Sequence, residues 1–123
     1  MDDQRTDREG GDVIDKKVAD TLSRIVRQRR NQLRKTSFET LQQIAPISLE
    51  MEAFRDKRVC IAIAADKTND AVSVLLRGFI WLVPQYFVFE GFTKRPDETW
   101  THLIPDDIHG TLAARIEENG PVF

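Results

Sequence analysis

The sequence has a single cysteine, Cys60, so no disulfide can form within the chain. A lone thiol suits a reducing compartment, and the first twenty residues are too charged for a visible signal peptide, so the expectation is a cytoplasmic protein. Long apolar runs are also missing. The longest, residues 71–83, contains Arg77 and stops at Pro84, which marks core and argues against a membrane span. Histidine is scarce, with only His102 and His109, and the two are not spaced as a ligand pair. Asp106, Asp107 and His109 read as helix-start residues, with no metal expected. Cys60 falls mid-strand with no acid or histidine beside it in sequence, so a cysteine nucleophile is not expected. There is no phosphate-binding glycine loop. These absences leave no positive case for an enzyme, a metal or a cofactor.

What is present is segregated charge. The net charge is −2. Residues 1–20 carry −3, residues 21–35 carry +6 with no acid, and residues 36–123 carry −5. The cations of the middle block are Arg24, Arg27, Arg29, Arg30, Arg34 and Lys35. On a helix, Arg27, Arg30 and Arg34 share one face, which could meet RNA phosphates or acidic segments of this chain or a partner.

Residues 1–11 are polar and are expected to be disordered. Residues 12–46 read as a helical extension. Ile14, Val18, Leu22, Ile25 and Leu33 give residues 13–35 a thin apolar stripe that needs a partner surface. Thr36 with Glu39 fits a capping box for a second short helix ended by Pro46. Residues 47–57 fit two periods. Ile47, Leu49, Met51 and Ala53 alternate like a strand. Ser48 as a cap, with Glu50, Glu52 and Lys57 placed for a helix dipole, favours a helix. Residues 58–65 and 86–93 are expected strands, and 71–83 is read as a strand in preference to a helix, with a bend at Pro84-Gln85 between the last two. Residues 99–104 make a last strand. Asp106 caps a closing helix through 118, and residues 105–123 form that helix and tail. The class is α+β, mostly β: a five-stranded antiparallel sheet preceded by helices.

Four phrases within residues 47–104 belong together. They are Arg58-Val59-Cys60-Ile61-Ala62-Ile63, Leu76-Arg77-Gly78-Phe79-Ile80, Val83-Pro84-Gln85-Tyr86 and Trp100-Thr101-His102-Leu103-Ile104. In this order, from about Ser48 to Ile104, they resemble the Sm-like fold and most of all the bacterial Hfq-like RNA chaperones. The resemblance implies a bent five-stranded sheet and a ring homo-oligomer, a hexamer in that family. It also implies non-enzymatic binding of single-stranded, uridine-rich RNA. By that resemblance Gln85 would read a base edge, Tyr86 would stack on the base, and His102 would contact base or phosphate. Arg27, Arg30 and Arg34 would add phosphate contacts. Pro105 falls where the family's last strand continues, which would shorten that strand. An alternative from another class is a protein-interaction scaffold docking through the N-terminal helix.

Overall fold

Period-two alternation dominates the chain from residue 47 onward, and it builds a sheet. The structure is a computed structural model that describes residues 16–54, 57–81 and 83–119, with backbone alone at 54 and 83–85. Residues 1–11, expected to be disordered, lie outside it. Helix α1 is Lys16–Arg34 and helix α2 is Phe38–Leu41. Five strands follow: β1 Ile47–Phe54, β2 Lys57–Lys67, β3 Val72–Ile80, β4 Val83–Lys94 and β5 Trp100–Thr101. Helix α3, Asp106–Asn119, closes the chain. The strands form one antiparallel sheet in the order β1-β2-β3-β4-β5, an α+β architecture with helices at both ends.

Five expectations are corrected. Within residues 47–57, expected to be a helix, Ile47–Phe54 is an edge strand and Lys57 already belongs to β2. Every residue from Ile47 to Phe54 has a partner on β2, so the alternation of Ile47, Leu49 and Met51 wins over the dipole-like charges. The last strand is two residues long, not six. After Thr101 its own hydroxyl accepts the Leu103 N–H at 3.2 Å, a local turn that replaces the ladder. The cap of α2 is Ser37, which accepts from the Thr40 N–H; Thr36 instead donates its hydroxyl to the Gln32 carbonyl of α1. Asp106 is likewise inside its helix, because the Pro105 carbonyl already accepts from His109 N–H at 2.8 Å. The expected bend at Pro84-Gln85 is an irregularity in a continuous strand: Phe79 pairs with Phe87, but Ile80 pairs with Val83.

The sheet has two different faces. Val59, Ile61, Ile63, Val74, Leu76 and Phe92 point to one side, where Val18, Leu22, Val26 and Leu33 of α1 cover them. The thin stripe of α1 therefore finds its partner surface within the chain, and this removes the motive for docking through that helix. Gly78 marks the closest approach. A Cβ there would collide with the Val26 side chain, so only glycine lets α1 lie this near β3. On the other side, Leu112 and Ile116 of α3 pack on Ala62, Ala64 and Leu75.

Two buried or half-buried lysines tie the helical segment down. Lys94 donates to the Arg34 and Thr36 carbonyls at 2.9 and 2.7 Å and pairs with Glu98 at 3.1 Å. It satisfies orphan carbonyls where α1 ends, at the negative pole of the helix. Lys67 does the same after α2, donating to Gln42 and Ile44 carbonyls.

Candidate nucleic-acid interface

The arginines of α1 meet the far end of the sheet. Arg30, buried, donates to the Glu90 carboxylate at 2.7 Å. Arg27 stands 3.8 Å from the other oxygen of Glu90. The Arg34 guanidinium lies 4.2 Å over the Trp100 ring, and Trp100 is edge-to-face with His102 at 4.7 Å. Arg30 Nη1 also lies 3.2 Å from His102 Nδ1. A guanidinium can only donate, so in this contact Nδ1 is the acceptor. Four of the six residues singled out from sequence, Arg27, Arg30, Arg34 and His102, thus gather around Glu90 and Trp100. Tyr86 is half-buried and packs against the α1-side core. The side chain of Gln85 lies outside the described residues.

A second set of aromatics faces outward. Strand alternation turns Tyr86, Val88 and Glu90 toward α1 and leaves Phe87 and Phe89 on the α3 side. Helix α3 covers only part of that side. Phe87 is 43% exposed and Phe89 37%, large values for phenylalanine on a sheet. Their rings are edge-to-face at 5.3 Å. The Arg77 guanidinium lies 4.3 Å over Phe87, and His109 of α3 stands edge-on to Phe89 at 5.9 Å. By register the same side carries Leu49, Met51, Arg58, Cys60, Ala62 and Phe79, and Asp66 stands on it at the far end of β2. Burial pushes the Cys60 thiol above its usual pKa, so it stays protonated and inert.

A shallow cavity of about 130 Å³ joins the two sets at the outer side of β4. It is lined by Leu75, Phe89, Glu90, Gly91, His102, Ile104 and His109. Both histidines of the chain and one exposed phenylalanine therefore share one hollow. No protein family, curated protein or solved structure matches the chain. Among the described residues no group of three or more His, Cys, Asp or Glu could hold a metal, and no helix is long and apolar enough to cross a membrane.

Sequence reasoning missed Phe87, Phe89 and Glu90. The signal was in the alternation of residues 86–90: once Val88 is assigned to the core, its neighbours must point the other way. The choice of Tyr86 as the stacking residue followed the family phrase and overlooked that parity. Glu90 could not be found as the partner of Arg30, because sixty residues separate them.

Proposed function

We propose that this protein is a non-enzymatic binder of single-stranded RNA whose stacking platform is Phe87 and Phe89, not Tyr86. The observation that carries the reading is an exposed aromatic pair with a guanidinium over one ring, on a sheet side where the neighbouring strand residues include Arg58 and Arg77 and the carboxylate, Asp66, stands at the other end of β2. Bases stack on such rings regardless of sequence, each contributing roughly 1–3 kcal/mol. Arg77 and Arg58 supply positive charge for phosphates, and His102 and His109 stand beside Phe89 to reach a base edge. In this reading Arg30 and Arg34 are positioning residues that hold His102 and Trp100, while Arg27 is the outermost cation of the three.

The Sm-like, Hfq-like assignment belongs to the same proposal. Its support is the order of the four sequence phrases together with strands at Arg58–Ile63, Leu76–Ile80 and Trp100–Thr101. The test is fluorescence anisotropy of labelled oligo-uridine with the full chain. Phe87→Ala and Phe89→Ala should each weaken binding about tenfold, as expected from roughly 1.4 kcal/mol of lost stacking. Absence of binding at low salt, or unchanged affinity in both variants, sinks the proposal.

A further inference from the structure

Among the described residues strand β1 is an open edge of unusual character. The Ala65 N–H donates to the Pro46 carbonyl at 3.0 Å, which fixes the parity of the β1–β2 ladder. In the register Ile47↔Ala64, Leu49↔Ala62, Met51↔Cys60, the bonded pairs are then those of Ser48, Glu50 and Glu52. The backbone donors and acceptors of Ile47, Leu49, Met51 and Ala53 point outward, with no ladder partner among the described residues. The same residues carry the apolar side chains, with Leu49 41% and Met51 50% exposed. The strand holds no proline, lysine or arginine, and its pairing with β2 is unbroken by a bulge, so several usual protections of an edge are missing. Its two acids lie on the opposite face, and Glu50 is held there by two Arg29 bonds of 2.8 and 2.7 Å.

We propose that β1 pairs antiparallel with β1 of a second copy of this chain, about a two-fold axis at Leu49. Self-complementarity selects the occupant, and repulsion between acids narrows the register. With Leu49 opposite Leu49 of the second copy, Ile47 faces Met51 and Ser48 faces Glu50, where the hydroxyl can donate to the carboxylate. Sliding one way opposes Glu50 to Glu50 and then Glu50 to Glu52; sliding the other way leaves only Ile47 and Leu49 bonded within the strand, about four ladder bonds; a single-residue slip reverses the backbone parity. The chosen register forms roughly six ladder bonds. It also brings Met51 of the second copy to a cavity of about 200 Å³ lined by Ile47, Leu49, Ala62 and Asn119. Such a contact is isologous and closes at two copies, whereas a ring needs two different surfaces, so it stands in place of the ring that the Hfq-like resemblance implies. Both aromatic platforms then lie on the same side of one continuous sheet. The contact does not rest on the RNA reading and can stand if that reading fails.

The test needs no RNA. The full chain should run as a dimer by gel filtration with light scattering, twice its 14.2 kDa mass. Leu49→Cys, with the buried Cys60 left in place, should form a disulfide-linked dimer on mild oxidation, because bonded pairs stand about 5.5 Å apart at Cα. Met51→Cys, which faces Ile47 in this register, should not. Leu49→Lys should give a folded single chain by circular dichroism. A monomer or a six-copy mass for the unmodified chain overturns the proposal, as does equal cross-linking of the two cysteine variants.

Discussion

Arg30 and Glu90 meet at 2.7 Å between helix α1 and strand β4, and both side chains are mostly buried. This pair is what turns the basic helix inward. A cationic face that reads as a phosphate surface in sequence is, at its centre, an internal ion pair that also holds His102.

Glu90→Ala takes the carboxylate from the buried Arg30, and Arg30→Ala leaves Glu90 with only the more distant, exposed Arg27 at 3.8 Å. Arg30→Ala and Glu90→Ala are each expected to destabilise the fold by about 3 kcal/mol. The double variant should cost less than the sum of the two. Urea denaturation of the three variants in a double-mutant cycle measures the coupling.

The Gly78–Val26 contact gives a steric prediction. Gly78→Ala should cost about 1–3 kcal/mol, because α1 must move off the sheet to make room. Trimming the opposing side chain, Val26→Ala, should make the same glycine substitution cheaper. Thermal unfolding of the two single variants and the pair would show this non-additivity; simple additivity would mean that α1 does not seat on Gly78.

Lys94 stitches the end of α1 to β4. Lys94→Met keeps the apolar stem and strips the ammonium from the Arg34 and Thr36 carbonyls and from Glu98. The expected loss is about 1.5–3 kcal/mol, with fraying of residues 34–36 visible as faster amide hydrogen exchange.

Acid sensitivity follows from the same corner. The Lys94 ammonium, and then the Phe38 N–H, hold the Glu98 carboxyl below its ordinary value of 4.5. Asp97 is lowered as well, by the Thr99 hydroxyl and N–H. A depressed folded pKa stabilises at pH above the unfolded value and loses that contribution as pH falls through the folded one. Stability should therefore decline below about pH 4.5, the unfolded glutamate range. Glu98→Gln should flatten that decline, read as melting temperature against pH.

The strands were legible where β-branched and aromatic residues run together, as in Val59–Ile63 and Val72–Ile80, because burial on both faces leaves no other good use for them. Residues 47–57 were not, since Glu50, Glu52 and Lys57 mimic a helix dipole. Their state was decided by pairing with β2, a contact between segments that local propensity does not encode. Half of the arginine face was legible in the same sense. The shared face of Arg27, Arg30 and Arg34 followed from helical spacing, but its counter-charge on β4 did not. The outward turn of Phe87 and Phe89 was available from parity alone, once Val88 is recognised as core.

The central claim is that RNA is held on the Phe87–Phe89 side of the sheet. Titrating isotope-labelled full chain with oligo-uridine and following backbone amide shifts tests it most directly. The expected result is a contiguous set of shifts at Arg77, Phe87, Phe89, His102 and His109, with the outer face of α1 around Arg24 and Lys35 little changed. Shifts confined to α1, or none at any RNA concentration, would contradict it.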